Sequence, residues 1–389
     1  MKLSTRCVQL GRGDDAHGAI VPPIYQTATF EQPSATEFGE YDYTRSGNPT
    51  RALLEEQLAD LEDARYACAF ASGMAALTAL TRIINLGEEI IAGDDLYGGT
   101  VRLLDRISSN HNISVRYVDT TDSDELRKAV TSRTRLILIE TPSNPLFRIS
   151  DISELASIAK DAGAYLAVDN SMLSPVFQQP LNLGADIVVH SATKFLCGHS
   201  DVTAGALITN DPTLHKQLAF QQNAEGAGLS PFESWLLLRG LKTLALRVER
   251  QNDSAGKIAR FLKTRTEITQ VFYPGLSDHP GREIHKKQAT GNGAVISFTT
   301  ADEKLSAAIV ETTRLFKVAV SFGSVGSTIS LPCRMSHASI PPALKDRLAP
   351  PPDLVRLSVG IEDVDDLIAD LDRAFTLCSR EEALAETLH

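Results

Sequence analysis

The 389-residue sequence has few cysteines, and their placement suits neither a disulfide framework nor a zinc site. The five cysteines are scattered, odd in number and without a Cys-x-x-Cys pair. Cys197 and His199 are spaced closely enough to be two ligands of one metal ion. The sequence offers no second pair of Cys or His ligands to complete such a site, so a loop is the favoured interpretation of this segment. We therefore expect no metal, and the free thiols fit a reducing cytoplasm.

Positive charge is also in deficit, because 38 Lys and Arg against 49 Asp and Glu leave a formal net charge of -11. This argues against general binding to nucleic acid or anionic membranes, although local groups can still hold a small anion. No apolar run approaches the roughly 20 residues of a membrane span. The N-terminus also lacks the apolar segment of a secretory signal and the Ser- and Arg-rich lead of a transit peptide. The sequence predicts a cytoplasmic protein with no nucleic-acid or membrane partner.

What is present is the composition of a globular protein, with 43% apolar and 22% charged residues. The length suggests about two domains. We predict an N-terminal arm over residues 1–50 that needs another surface to pack on. A first domain would follow over residues 51–245, and a smaller C-terminal α/β domain over residues 246–389.

Short apolar segments alternate with helical segments after residue 50. Strands are predicted at 66–70, 89–92, 114–118, 135–140, 165–169, 186–190 and 203–209, and helices at 51–64, 71–84, 101–108, 124–130 and 152–162. Such alternation favours a mainly parallel, seven-stranded sheet covered on both faces. Further along, the pattern predicts one long helix over 234–265, strands at 294–299 and 354–359, and helices at 304–316 and 364–377.

Lys194 follows an apolar strand and two hydroxyl residues, Ser191 and Thr193. Such a strand places an amine at the rim of a sheet, where it can form a Schiff base with a carbonyl cofactor. The hydroxyls would complete a phosphate cage if the strand continues through them. The alternative is a solvated lysine after a strand.

Two further segments fit the same cofactor. Ser72-Gly73 opens a helix whose free N–H groups and positive dipole end suit a phosphate, the alternative being an ordinary N-cap. Asp169 ends a very apolar strand, at the edge where open α/β sheets bind ligands. Its carboxylate can keep a pyridine nitrogen protonated, and a turn or N-cap aspartate is the alternative.

Tyr97 and Arg356 complete the set. Tyr97 precedes two glycines and can stack on a flat cofactor, or else pack on its own domain. Arg356 lies inside an apolar strand, where its fork suits a substrate carboxylate or an ion pair with a neighbouring acid such as Glu362 or Asp363. Together the five features predict a site for one cofactor that combines an aldehyde, a pyridine ring and a phosphate.

On these residues the chain resembles the pyridoxal-phosphate enzymes of cysteine and methionine metabolism, the trans-sulfuration family, over nearly its whole length. The motifs that carry the resemblance lie at 43–50, 71–75, 95–100, 140–145, 191–194 and 356–360. Within the family, segments 168–175, 223–229, 320–325 and 361–367 are most similar to the plant-type cystathionine β-lyases. Gly99 stands where methionine γ-lyases usually have a cysteine, which argues against that member of the family.

The resemblance implies the aspartate aminotransferase type of α/β fold, fold type I, and a homotetramer built as a pair of dimers with shared sites. It implies that Lys194 holds the cofactor and is the base at the substrate Cα, with Tyr97 as a second catalytic residue that stacks on the ring. The implied cofactor contacts are Tyr43, Arg45, Ser72, Gly73, Met74, Asn144, Asp169, Ser191 and Thr193, of which Tyr43 and Arg45 would reach the neighbouring subunit. The implied substrate contacts are Tyr43, Ser321 and Arg356.

The predicted reaction is β-elimination from L-cystathionine, an amino-acid thioether, to homocysteine, pyruvate and ammonia, a step of methionine biosynthesis. Cystathionine γ-lyase and γ-synthase need the same residues and are the nearest alternatives. A distant alternative is a non-catalytic sugar- or nucleotide-phosphate binding protein that uses the same helix start at Ser72 and Gly73.

Overall fold

A computed structural model describes residues 1–9 and 17–387. Its strands are β1 (Tyr66–Phe70), β2 (Glu89–Gly93), β3 (Ser114–Val118), β4 (Thr134–Glu140), β5 (Tyr165–Asp169), β6 (Ile187–His190), β7 (Gly205–Thr209), β8 (Gln270–Phe272), β9 (Val295–Thr299), β10 (Lys317–Val318), β11 (Thr328–Ser330) and β12 (Val355–Ser358). Its α-helices are α1 (Leu3–Val8), α2 (Pro49–Leu61), α3 (Gly73–Thr81), α4 (Gly98–His111), α5 (Ser123–Ala129), α6 (Ile152–Ala162), α7 (Ser174–Phe177), α8 (Pro212–Ala224), α9 (Pro231–Leu241), α10 (Leu244–Leu262), α11 (Arg282–Gln288), α12 (Glu303–Thr312), α13 (Pro342–Leu348) and α14 (Val364–Thr387).

The first seven strands form one sheet in the order β1-β7-β6-β5-β4-β2-β3. Pairing is parallel from β6 through to β3, whereas β7 runs antiparallel to both of its neighbours. Apolar clusters cover both faces, as a parallel sheet requires. The predicted mainly parallel, seven-stranded sheet is confirmed.

The predicted strands match the observed ones to within two residues, with the largest difference at the start of β7. Residues 203 and 204 lie outside that strand because the backbone N–H of Thr193 and its hydroxyl both donate to the Ala204 carbonyl, each at 3.2 Å. The residue before β7 is therefore hydrogen-bonded to the loop that carries Lys194.

The smaller sheet has the order β10-β11-β12-β9-β8, so the sequence prediction found two of its five strands. The missed strands β8, β10 and β11 span only two or three residues each, too few to show an alternating pattern. The helices predicted over 234–265 and 304–316 were wrong in extent. The first is divided in two and the second ends early, each for a local reason.

The predicted helix over 234–265 is two helices, α9 and α10. The carbonyl of Gly240 accepts from Arg247 Nη2 at 3.0 Å and from the Thr243 hydroxyl at 3.3 Å, which competes with the helical bonds at the break. The helix predicted over 304–316 ends at Thr312, because the Asp370 carboxylate accepts the N–H groups of Arg314 and Leu315. The predicted helix over 364–377 continues to residue 387.

The N-terminal segment over residues 17–48 has little regular structure, apart from an isolated bridge between Thr29 and Tyr43, and is mostly exposed. The division at residues 50 and 245 stays a prediction. The largest apolar cluster includes residues on both sides of the second boundary, such as Leu54 and Val355. No helix in the described ranges combines the length and apolarity needed to cross a membrane.

Candidate active site

Strands β4, β5 and β6 end at one edge of the large sheet, next to the first turn of α3. A cavity of about 440 Å³ lies at this edge. The predicted site residues that line it are Ser72, Gly73, Met74, Tyr97, Asn144, Asp169, Ser191, Thr193, Lys194, Ser321 and Arg356. The structure thus brings together every predicted site residue except Tyr43 and Arg45.

Lys194 places its amine inside this cavity rather than in solvent. Its Nζ donates to the Ser321 hydroxyl at 2.5 Å and lies 5.0 Å from the centroid of the Phe322 ring. Burial, together with the charge of Arg356, lowers the pKa of Lys194 to about 8, although Asp169 and Glu140 act in the opposite direction. A substantial fraction of the amine is therefore neutral, and so nucleophilic, in mildly alkaline solution.

Asp169 and Glu140 form a carboxyl pair on the floor of the cavity. They are register partners at the ends of β5 and β4, and both line the cavity. Burial raises the pKa of Glu140 well above its ordinary value, with added repulsion from Asp169 and Asp95. Burial also raises the pKa of Asp169, but hydrogen bonds from Ser171 oppose this. Two adjacent buried carboxyls cannot both ionise freely, so we assign the proton to Glu140 and the charge to Asp169.

Glu140 was missed by the sequence analysis, although the same signal was available. It ends an apolar strand exactly as Asp169 does, and neighbouring parallel strands end at a common edge. Its Oε2 accepts the backbone N–H of Tyr97 at 3.2 Å. The carboxyl group therefore also fixes the start of α4.

The N-terminus of α3 forms one end of the cavity. Ser72 caps the helix, its Oγ accepting the N–H of Ala75 at 3.0 Å, while the first-turn N–H groups of Gly73 and Met74 have no intrahelical acceptor. A Cβ on Gly73 would lie 3.0 Å from the Cβ of Ser191, so the glycine permits this close approach. These donors suit an anion.

Thr193 also lines the cavity, but its hydroxyl is engaged with the backbone. It donates to the Ala204 carbonyl at 3.2 Å and accepts the Ala204 N–H at 2.9 Å. Its predicted phosphate contact would require the hydroxyl proton to turn away from that carbonyl.

Tyr97 occupies the position before α4 and is partly exposed to the cavity. A Cβ on Gly99 would lie 2.3 Å from Cε1 of the Tyr97 ring, so the glycine allows this ring position. The buried ring of His337 meets the Tyr97 ring edge-on, with the centroids 6.3 Å apart and an interplanar angle of 86°. Burial lowers the pKa of His337 to about 4, so this unpredicted neighbour is neutral near pH 7. As a lone histidine in a loop, it gave no sequence signal.

Arg356 lies on β12 and points into the cavity from the smaller sheet. Its Nη1 donates to Asn144 Oδ1 at 2.7 Å and its Nη2 to the Ser321 carbonyl at 3.2 Å. Burial lowers its pKa to about 10, so the guanidinium still carries its charge at neutral pH. Ser321 has a φ of 82°, an uncommon conformation for a non-glycine residue, and accepts hydrogen bonds from both Lys194 and Arg356.

The remaining predicted residues, Tyr43 and Arg45, lie outside the cavity of their own chain. Arg45 Nη1 donates to the side chain and carbonyl of Asn223 at 2.8 and 2.9 Å, and its guanidinium lies over the Tyr43 ring. One unpredicted cation does line the cavity. Arg102, exposed on α4, has no acidic partner in the described part of the chain. An exposed arginine on a helix is ordinary, so the sequence gave no reason to select it.

A lysine with a lowered pKa, an ionised carboxylate and an anion-binding helix start define an enzyme that holds a carbonyl cofactor on a lysine. This donor set fits pyridoxal phosphate, which combines an aldehyde, a basic ring nitrogen and a phosphate. The family described as "Cys/Met metabolism PLP-dependent enzyme" matches residues 4–376. The chain belongs to this family of pyridoxal-phosphate-dependent enzymes, and its fold is fold type I.

Several relatives are similar over most of the chain. A chloroplastic cystathionine β-lyase of Arabidopsis thaliana is 54% identical over 373 residues, which are 96% of this chain and 80% of that protein. A cystathionine γ-lyase of Bacillus subtilis is 46% identical over 375 residues, 96% of this chain and 99% of that one. A solved structure of cystathionine γ-synthase from Xanthomonas oryzae pv. oryzae in complex with cystathionine has a TM-score of 0.95 and 39% identity, covering 98% and 99% of the two chains.

Proposed function

We propose that this enzyme cleaves L-cystathionine by β-elimination to homocysteine, pyruvate and ammonia. The observation that carries the proposal is the position of two arginines on one cavity, Arg356 in its wall and Arg102 of α4, which has no acidic partner among residues 1–9 and 17–387. Cystathionine has an amino-acid group at each end of a thioether, so each carboxylate would meet one arginine. The similarity to proteins named cystathionine β-lyase supports the same substrate.

The cofactor, when bound, supplies an electron sink for the charge that develops at the substrate Cα. Lys194 would hold it at Nζ and, once released by the substrate amine, take the proton from Cα. The ionised Asp169 would keep the ring nitrogen protonated, while Gly73, Met74 and Ser191 would hold the phosphate. Tyr97 would stack on the ring. The departing homocysteine sulfur needs a proton, and Lys194 or Tyr97 would supply it, a contribution of about 10²–10⁴-fold for a positioned group.

Replacement of Lys194 tests the assignment of the cofactor site. Borohydride reduction of the holoenzyme followed by peptide mapping should find the cofactor on Lys194, and Lys194→Ala should remain folded while losing elimination. A modified peptide from another part of the chain, or normal turnover by the variant, would refute the assigned role. A colourless wild-type protein with no adduct would favour a non-catalytic phosphate-binding protein.

The γ-acting enzymes remain the competing function, since proteins named cystathionine γ-lyase and γ-synthase are also close relatives. A γ-elimination needs a second proton abstraction at Cβ, for which it would use the same residues. The two reactions differ in their keto acid. Incubation with cystathionine should yield pyruvate, and 2-oxobutyrate in its place would reject the β-lyase proposal.

We also propose that the active site is shared between subunits of a homotetramer. The cofactor phosphate carries about two negative charges. Within the described ranges of its own chain, the phosphate end of the cavity offers helix N–H groups and hydroxyls but no cation. Arg45, exposed on the arm, would supply the missing cation to a neighbouring subunit, together with Tyr43. A cytoplasmic location stays a prediction.

Subunit complementation provides a test of this sharing. Arg45→Ala and Lys194→Ala should each be poorly active alone, but a mixed dimer contains one site with both wild-type residues. Co-expression should therefore restore activity, up to about one site in two for each mixed dimer. Failure to restore activity in isolated mixed dimers would reject the sharing of Arg45, and sedimentation would report the tetramer separately.

A further inference from the structure

A buried histidine–glutamate pair lies behind the active site, on the face of the sheet opposite the cavity. His190 Nε2 and Glu62 Oε1 are 2.6 Å apart, and both side chains are 1% exposed. Side chains alternate along a strand. Val189 and Ser191 line the cavity, so His190 between them faces the other side, where Glu62 follows the end of α2.

The same glutamate oxygen contacts residues at the ends of two strands that border the cavity, β5 and β6. Asn170 Nδ2 donates to Glu62 Oε1 at 3.0 Å, and Asn170 directly follows Asp169. His190 directly follows Val189, the register partner of Asp169. Glu62 therefore connects Asn170, which follows β5, with His190, the last residue of β6.

The second oxygen of Glu62 has no hydrogen-bond partner in the described part of the chain, although it is fully buried. A buried carboxylate with an oxygen that lacks a hydrogen-bond partner raises the free energy of the folded protein unless a cation lies beside it. The imidazole of His190 is that neighbour. A glutamate whose only contribution were packing would not need an ionisable partner at 2.6 Å.

We propose that His190 and Glu62 are positioning residues for Asp169, with the imidazolium keeping that carboxylate ionised so that it can hold a proton on the ring nitrogen of the bound cofactor. The inference rests on the proposed role of Asp169. The other groups that face this carboxylate are Glu140 on the adjacent strand, Lys194 across the cavity, and the hydrogen-bond donor Ser171.

The charges around Asp169 explain why the His190–Glu62 pair would affect the protonation of that carboxylate. Burial raises the pKa of Asp169, whereas the charges of His190 and Lys194 lower it. The charge of Lys194 is lost whenever its amine is neutral, as it must be to take a proton. Among these groups His190 is then the one whose positive charge still opposes the effect of burial on Asp169.

The test uses holoenzyme with His190→Asn or Glu62→Gln, the second being the conservative variant should the first fold poorly. His285→Asn is the matched control, because His285 of α11 is equally buried and its ring Nε2 lies 2.9 Å from the Gly291 carbonyl rather than from an acidic group. The readouts are the visible absorption of the bound cofactor as a function of pH, the affinity of apoprotein for pyridoxal phosphate, and thermal stability.

Loss of the imidazolium should raise the pKa of Asp169, so the carboxylate should take up its proton at higher pH. In His190→Asn the acidic spectral transition should therefore move to higher pH, by up to about one pH unit, with weaker cofactor binding. Glu62→Gln should move it in the same direction, and the double variant no further, because the two residues act as a unit. The control should change stability without moving the spectrum.

Asp169→Asn separates this inference from the proposed function. If Asp169→Asn alters the spectral titration but His190→Asn and Glu62→Gln titrate like the wild type, the inference is overturned and the role of Asp169 stands. If Asp169→Asn itself leaves the titration unchanged, both fall. A shift in the control as large as that in His190→Asn would also overturn the inference, since it would reflect a general loss of packing.

Discussion

Exchange of Arg356 for lysine should weaken substrate binding even though it keeps the positive charge. The guanidinium donates to Asn144 and to the Ser321 carbonyl, and it has five N–H donors in a fixed fork. A lysine has one nitrogen, so it cannot hold both neighbours and also meet a carboxylate with two parallel bonds. The cation beside Lys194 is retained, so the lowered pKa of that amine should change little.

The expected loss follows from the bonds that a lysine cannot replace. A hydrogen bond to a charged group contributes about 1.5–3 kcal/mol, and each 1.4 kcal/mol or so is a factor of ten in affinity. Loss of one such bond to the substrate carboxylate should raise KM by about 10–100-fold. The kcat should fall less, because Lys194 and Tyr97 are unchanged.

Steady-state kinetics of pyruvate release from cystathionine would measure both parameters. Arg347→Lys is the matched control, because Arg347 Nη2 donates to the Tyr117 carbonyl at 2.6 Å in a part-buried site away from the cavity. The control should keep its KM within about twofold of the wild type. A folded Arg356→Lys enzyme whose KM is equally unchanged would refute a bidentate carboxylate contact at this position.

Three other predictions concern the protonation and position of groups in the cavity. Attachment of pyridoxal phosphate to the apoenzyme should accelerate with rising pH, with a midpoint near pH 8, because the pKa of Lys194 is lowered to about 8 and only its neutral amine attacks the aldehyde. Stopped-flow absorbance would detect this, and a midpoint near 10 would contradict the lowered pKa. Glu140→Gln should keep most activity at neutral pH, since the raised pKa of Glu140 leaves it protonated; a loss above about tenfold would contradict that assignment. Ser321→Ala should lower kcat about tenfold, the equivalent of one net hydrogen bond to Lys194, while cofactor affinity in an equilibrium titration stays the same.

The sequence was informative wherever a pattern extended over several residues. Strands β1 to β6 are apolar runs separated by helices, Asp169 ends β5, and Lys194 lies in the loop that follows β6. The two-residue strand β10 has too little sequence for such a pattern. Arg102 reaches the cavity through the path of α4, and His337 reaches the Tyr97 ring through the path of a long loop. Both paths depend on tertiary packing. Glu140, by contrast, could have been predicted. It ends β4 as Asp169 ends β5, and these two strands are parallel neighbours in the sheet.

The cavity must keep one amine neutral and one carboxylate charged a short distance apart, and these demands oppose each other. An ionised Asp169 favours the charged form of Lys194, and a second ionised carboxyl at Glu140 would favour it further. Protonation of Glu140 removes that second anion, so that burial and Arg356 prevail and the amine can act as a base. To stay ionised, Asp169 then needs a positive charge that lies outside the cavity that contains Lys194. The position of His190, behind the sheet and balanced by Glu62, meets that need without adding a proton donor to the reaction space.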